Sequence, residues 1–473
     1  MQSCFPKRYK AKDARAKLPW PRVDRTGILP AKHTNLIKKE VMTMLKRILA
    51  VTLSAAMIGA VLTGCSNDKE PGAESKMKLT FLNSKGEIQD GLEAVAKEYK
   101  KKTGVDIEIL VAPAGTSPSE RFSQLYNSGT PPTMSMLDTT DVVDIGWDKA
   151  VDLTGEKWVA DAGNQAYRIN DKVYSFPMGV EGRGLIYNKT AIEKTLGKTF
   201  DPKEYNTMDK LKALLEELKS KGMATPVVIS KEDWSLGSHY FGYLYITQSD
   251  DEGASAAYID KMKKGEIDLK NDKRFNQLLD TFDLLRSYNI NGKAPLDAKY
   301  EVDPSYVVDG EAAFWFNGNW AWPNMKEFIT ADNKNEFGLM ILPLGNDASD
   351  FVNTKMLGTA SKQIIIDKTK TSEEEQKAAK DFLNWLVYDE AGQKGMVETL
   401  QLVPAFSNIK LEPTDPLGKA LKVYVDEGKT SPDCIVPADH WSKVGAAMQQ
   451  YLAGKSTREQ LAAKVLEYWK SKA

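Results

Sequence analysis

Cysteine and histidine are scarce, three of each in 473 residues. Cys4, Cys65 and Cys434 lie far apart with no paired spacing. That excludes a readable disulfide framework, and so few histidines and cysteines offer no zinc site. Excess positive charge is missing too: the formal net charge is -1, and from Cys65 onward 51 Lys+Arg face 62 Asp+Glu. Such a surface suits nucleic acid poorly, because phosphate binding needs concentrated positive charge. No internal repeat, catalytic motif or metal-ligand spacing stands out, so neither a metal nor a cofactor is expected. What remains is an ordinary globular composition, 42% hydrophobic and 27% charged, at a length that suggests two or three domains.

The positive charge is concentrated near the start, where residues 1–64 carry 13 Lys+Arg against 3 Asp+Glu. Met44-Leu45-Lys46-Arg47 forms a short basic start, and the fourteen residues Ile48–Val61 are uncharged. That length is short for a bilayer span and fits the apolar region of a signal peptide. Leu62-Thr63-Gly64-Cys65 follows and resembles the lipobox of bacterial lipoproteins. The resemblance implies cleavage before Cys65 and a diacylglycerol on its sulfur, and acyl chains anchor a protein at about 0.8 kcal/mol per buried methylene. The polar stretch Ser66–Ser75, SNDKEPGAES, reads as a flexible tether of residues 65–75 after the signal peptide of residues 1–64. Residues 1–43 precede that signal, so translation is expected to begin at Met42 or Met44.

From Met77 strand and helix patterns alternate. KLTFL (Lys78–Leu82) is a strand candidate. Leu92, Val95, Ala96 and Tyr99 then mark one face of a helix that Gly104 can cap, and VDIEIL (Val105–Leu110) alternates as a second strand. Strand, helix, strand with short links indicates a βαβ unit and the α/β class. Further strands are expected at 133–137, 184–187, 226–229, 312–316, 337–342 and 361–366, and helices at 209–221, 276–288, 373–388 and 456–472.

DGEAAFWFNGNWAW (Asp309–Trp322) places five aromatic rings within nine residues and interrupts them with Asn317-Gly318-Asn319. Together with KLTFLNSKGEIQDGLEAVAKEYKKKTGVDIEI, PPTMSMLDTTDV, FPMGVEGRGLIYNK, FGLMILPLG, DFLNWLVYDEAGQKGM and YLAGKSTREQL, it resembles the extracellular solute-binding proteins of ABC sugar importers, especially maltodextrin-binding proteins. The resemblance runs in order from about Lys76 to Trp469. It implies an α/β, two-lobed periplasmic-binding-protein-like fold (type II) with an interlobe ligand cleft. One lobe would hold residues 76–180 with about 357–402, the other 185–350 with about 405–473, with crossings near Val180–Gly184, after Leu342 and around Val403.

The resemblance also implies a site. Sugars pack their C–H faces on aromatic rings and offer hydroxyls to carboxylates, amides and guanidinium groups. Trp320 matches a sugar-stacking tryptophan and Glu181 a crossing-segment carboxylate. Ser84, Lys85 and Glu87 occupy the loop of polar contacts after the first strand, with Ser84 where the family has an acidic residue and Thr133 where it has Asp. Asp233 and Trp234 match an acidic and aromatic segment of the second lobe, Trp441 a cleft tryptophan, and Arg183 a donor at the crossing. Asp138 and Thr139 end the third strand and read equally as hydroxyl partners or a helix cap. Trp322 and His239 read as packing residues. Of Phe314, Trp315 and Phe316, alternate members are expected to face the core.

The function implied is that of a lipid-anchored receptor on the extracytoplasmic face, a monomer that binds an oligosaccharide and docks on the transmembrane subunits of an ABC permease. It is not expected to be an enzyme. The alternatives are a lipid-anchored glycoside hydrolase using a pair such as Glu181 and Asp233, or a sugar sensor of the same fold. The reading of the start site has its own test: mass spectrometry of the native protein is expected to find no peptide from residues 1–41, and a single such peptide overturns it.

Overall fold

A computed structural model describes residues 77–112, 116–251 and 253–473. The expected signal peptide, Cys65 and the expected tether lie outside the described residues. Among the described residues no helix is long and apolar enough to cross a membrane.

Among the described residues eleven strands are present: β1 (Lys78–Asn83), β2 (Asp106–Val111), β3 (Met134–Asp138), β4 (Arg168–Ile169), β5 (Lys172–Val173), β6 (Phe176–Asn188), β7 (Val227–Val228), β8 (Phe314–Gly318), β9 (Phe337–Met340), β10 (Met356–Ile366) and β11 (Thr430–Ser431). The β4–β5 pair is a separate hairpin, and the rest form a mixed sheet in the order β2-β1-β3-β10-β6-β8-β7, with β11 on β10 and β9 on β6. The opening βαβ unit forms as the pattern implies. β1 and β2 pair in parallel, and helix Gln89–Thr103 buries Leu92, Val95, Ala96 and Tyr99 and ends at Gly104 in the left-handed conformation.

Two strands are longer than the sequence suggests. β6 has 13 residues and β10 has 11. Both extend past the short apolar runs and contribute to more than one apolar cluster. β6 begins against β10 at Phe176–Ile364 and Pro177–Gln363, and its far half pairs with β8 and β9. The β6–β10 ladder shifts register between Thr359 and Lys362, opposite Gly179 and Glu181; this bulge bends the strands where they cross. Glycines make the crossing possible. A Cβ on Gly184 would lie 2.1 Å from the Met340 carbonyl oxygen, and one on Gly182 would lie 2.4 Å from Leu421. A third crossing runs alongside, where the Val180 amide donates to the Val403 carbonyl at 2.8 Å.

Apolar side chains gather in two large clusters. One takes Leu79, Phe81, Trp158, Phe176, Phe382 and Phe406 and runs on beneath Ile186 and Trp315. The other takes Leu185, Phe241, Phe275, Phe282, Phe314, Phe316 and Trp469. β8 therefore divides its aromatics by the pleat, Trp315 to one face and Phe314 and Phe316 to the other, and all three are buried. A smaller cluster of Leu82, Phe122, Leu137 and Ile365 covers the opposite face of β1, β3 and β10.

The C-terminal helices His440–Leu452 and Arg458–Lys470 complete the second cluster, the latter opened by a capping box of Thr457 and Gln460. Between them His440, 1% exposed, exchanges a 2.9 Å hydrogen bond with the Tyr245 hydroxyl, which accepts from Trp469 Nε1 at 3.1 Å. Burial depresses the His440 imidazole to about 3. The unfolded chain takes up a proton below about pH 6.5 that the folded ring refuses, so stability falls as the pH drops from about 6.5 towards 3 by up to about 1.4 kcal/mol per unit. Urea titrations between pH 6.5 and 4.5 are expected to show a slope shallower by one proton in His440→Asn than in the native protein; equal slopes would remove His440 from the acid response.

Candidate functional site

Where β1, β6 and β10 meet, polar side chains converge from segments far apart in sequence. β1 ends at Asn83, whose carboxamide shapes the next loop by accepting from the Lys85 amide at 2.9 Å and donating to the Lys85 carbonyl at 2.8 Å. This turns the Lys85 side chain inward, where it is 4% exposed and pairs with Glu87 at 2.7 Å and with Glu181 of β6. The second Glu181 oxygen accepts from the Ser361 hydroxyl on β10. Burial opposes the charge on Glu181, but Lys85 foremost, then Lys362 and Ser361, outweigh it and hold the carboxyl below its usual range. Burial likewise works against the Lys85 ammonium, and Glu181 and Glu87 outweigh it and raise it. The pair is therefore ionised at neutral pH.

Next to it Lys362 pairs with Asp138 at 2.5 Å. Asp138 precedes the short helix Thr139–Asp141 without capping it through its side chain. The Thr139 hydroxyl donates to the carbonyls of Ala360 and Ser361, both at 3.2 Å, and so supports the β10 bulge. Asp141 behind them is buried, and burial, followed by Asp138, pushes its carboxyl up to about 8. The Ser84 hydroxyl is buried with no hydrogen-bond partner among the described residues.

The opposite wall is aromatic. The Trp320 indole folds back over Gly318, where a Cβ would sit 2.1 Å from the ring; this is the physical content of the Gly-x-Trp spacing, since any side chain at 318 displaces the indole. Asn319 between them accepts from the Gly182 amide at 2.9 Å and so ties this turn to β6. His239 packs on Trp320 with centroids 4.6 Å apart, Trp234 on His239 at 5.2 Å, and Tyr300 on Trp234 at 5.2 Å. Burial first, then the cations Arg183, Lys362 and Lys85, keep His239 neutral, well below its ordinary range. Asp233 caps the segment Trp234–Tyr240 by accepting from the Trp234 amide at 2.9 Å, and burial raises its carboxyl. Trp441, half-buried, stands in the first turn of helix His440–Leu452. That helix packs on Trp234–Tyr240 through Gly237 and Gly445, each of which has backbone atoms within 2.5 Å of where its Cβ would be.

Lys85, Glu87, Glu181, Asn319, Trp320 and Gln401 line one narrow cleft with about 10 Å³ of free space, with Ile88, Pro323, Leu400 and Leu402 as its apolar surface. Gln401 has φ 56°, a left-handed backbone that costs a non-glycine residue on the order of 1 kcal/mol. A larger and more open concavity lies elsewhere, beside Thr225 and Asn289–Ala298.

Arg183 is held inside the protein. It is 5% exposed and gives both terminal nitrogens to Asp433, at 2.7 and 2.6 Å, and Nε to the His239 carbonyl at 3.1 Å. Three of its five N–H donors are thus used within the protein, and it clamps β6 to the C-terminal segment. Asn319, Ser361, Lys362 and Gln401 were missed by sequence reasoning. Asn319 alone carried a signal, its place inside Gly-Asn-Trp. Among the described residues no group of three or more His, Cys, Asp or Glu side chains is placed to hold a metal ion.

A family model described as bacterial extracellular solute-binding protein matches residues 94–420. The multiple sugar-binding protein of Streptococcus mutans is 26% identical over 391 residues, which cover 78% of this chain and 86% of that protein. Maltodextrin-binding protein MdxE of Bacillus subtilis is 22% identical over 446 residues, covering 88% and 95%. The solved structure of the solute-binding protein RafE in complex with raffinose superposes with a TM-score of 0.68 at 17% identity, covering 84% of this chain and 99% of that one. The fold is thus the two-lobed α/β fold of these binding proteins.

The geometry of the wall predicts that Gly318→Ala displaces the Trp320 indole while leaving the chain folded. The expected readout is a changed Trp fluorescence maximum with an unchanged far-UV circular dichroism spectrum. An unaltered emission would mean that the ring is held by other contacts.

Proposed function

Because the chain belongs to the bacterial extracellular solute-binding proteins, we propose that it captures a carbohydrate, an oligosaccharide above all, for import by an ABC transporter. One observation carries this reading: an indole held flat by Gly318 beside Glu87, Glu181, Asn319 and Gln401 in a single cleft. Sugar recognition calls for that combination, an apolar ring face amid planar hydrogen-bonding groups. The names of the relatives, a multiple sugar-binding protein and a maltodextrin-binding protein, support the same class of cargo.

In this reading Trp320 stacks on a sugar ring and Glu181 and Glu87 accept hydrogen bonds from its hydroxyls. Lys85 and Ser84 contribute from the loop after β1. Asp138 and Thr139 act at the β3 end, and Asp233, Trp234 and Trp441 from the second lobe. We assign the lobes as 76–180 with about 357–402 and 185–350 with about 405–473. A ligand touching both lobes stabilises the closed form by its differential affinity, and a shift from 1:99 to 99:1 requires about 5.5 kcal/mol of it. The closed monomer then docks on the permease, held at the membrane by lipid on Cys65.

The hydrolase alternative fits less well. A hydrolytic pair must flank one bond, whereas Glu181 lines the cleft and Asp233, whose carboxyl burial raises, caps the segment Trp234–Tyr240 and is not among the residues that line it. Unchanged reducing-end counts after incubation with oligosaccharides are expected.

The decisive experiment is a thermal-shift screen of the purified protein against raffinose, maltodextrins, chitin oligosaccharides, amino acids, polyamines and phosphate. A ligand at a hundredfold excess over Kd stabilises the fold by about 2.7 kcal/mol. A shift with one glycan class supports the reading, and a shift with a non-sugar solute alone overturns it. For the glycan that binds, Trp320→Ala is expected to cost about 2 kcal/mol or more by calorimetry; an unchanged Kd removes Trp320 from the site.

A further inference from the structure

Gln401 departs from the rest of the described chain in its backbone. Three non-glycine residues there have positive φ. Asn170 and Asp171 form the two-residue turn between β4 and β5, where Asn and Asp are the usual occupants. Gln401 instead follows the helical segment Gly395–Thr399 and its cap Leu400, a place where the left-handed conformation commonly ends a helix and glycine is the usual occupant.

Its two neighbours fix it in place. The Leu400 amide donates to the Gly395 carbonyl at 2.9 Å and the Leu402 amide to the Met396 carbonyl at 3.0 Å. Their side chains lie tightly against glycines: a Cβ on Gly91 would meet Leu400 at 3.0 Å, and one on Gly179 would meet Leu402 at 3.2 Å. One residue further on, Val403 bonds to Val180 of β6. The segment is thus anchored on both sides of residue 401, which takes the left-handed conformation between these two attachments.

The side chain lines the cleft with Trp320, Glu181 and Lys85. Its setting differs from theirs. Lys85 and Glu181 bond to each other, and Asn319 accepts from Gly182, while the Gln401 carboxamide has no hydrogen-bond partner among the described residues.

We propose that Gln401 is a specificity-determining residue of this cleft, an uncommitted carboxamide presented from the third crossing that reads the hydroxyls of the ring seated on Trp320. A carboxamide both donates and accepts, so it suits a pair of neighbouring hydroxyls and disfavours analogues lacking one of them. The inference rests on the carbohydrate reading for the nature of the ligand, and on the geometry alone for contact with it.

Two variants separate side chain from backbone. Gln401→Gly removes the carboxamide and is the residue the backbone prefers, so its unfolding temperature is expected to equal or exceed that of the native protein. Gln401→Ala removes the same carboxamide and keeps the strain. Calorimetry is carried out with whichever probe stabilises the native protein among raffinose, maltodextrins, chitin oligosaccharides, amino acids, polyamines and phosphate. Both variants are expected to raise Kd tenfold or more. A Kd within twofold of native in Gln401→Gly overturns the proposal, whatever the probe. If the probe is a non-sugar solute, the carbohydrate reading falls, and the same comparison still decides whether Gln401 contacts the ligand.

Discussion

The structure depends on one ladder, the antiparallel pairing of β6 with β10. Every other strand of the main sheet reaches its position through these two: β3, β1 and β2 on one side, β8, β7 and β9 on the other, and β11 at the end of β10. A ladder shared in this way must be thin where other segments cross it. Gly179, Gly182 and Gly184 supply that thinness, each with a foreign atom within 3.1 Å of where its Cβ would be. The bulge between Thr359 and Lys362 supplies the bend.

Charge then fastens the ladder from two directions. Glu181 and Arg183 lie two residues apart on β6 and so leave the same face of the strand. Glu181 is bound by Lys85 from the loop after β1, and Arg183 by Asp433 near the C-terminus. Gly182 lies between these opposed attachments. Each buried ion is expensive to desolvate, and each is offset by a partner plus further hydrogen bonds. The cleft opens beside this point because the crossing strands bring the ends of both halves together there.

Much of this was legible in the sequence, and the boundary of legibility has physical causes. The βαβ unit was readable because β2 and the helix before it each bury one face and so keep their period. The extent of β6 was not, since it is buried along nearly its whole length and shows no alternation. The same holds for β8, whose three aromatics are all core although they point to two different cores. The clamp on Arg183 was not readable because its partner lies 250 residues away, a separation that no local pattern spans. Ser361 and Lys362 read as the start of an apolar strand, and only the bulge turns them towards Glu181. Gln401 was hidden for a different reason: its distinction is a torsion angle, and torsion angles imposed by flanking contacts leave no mark in the residue type.

The order of the chain along this ladder has a consequence for biosynthesis. β6 is complete at Asn188, but its main partner β10 begins at Met356, the clamp on Arg183 waits for Asp433, and the second core closes only with the helix ending at Lys470. Contacts so distant in sequence form slowly and late. Neither half can finish folding on the ribosome before the last residues emerge. Through most of its synthesis the polypeptide is therefore a pliable thread, which is the condition a chain must be in to pass through a narrow translocation channel.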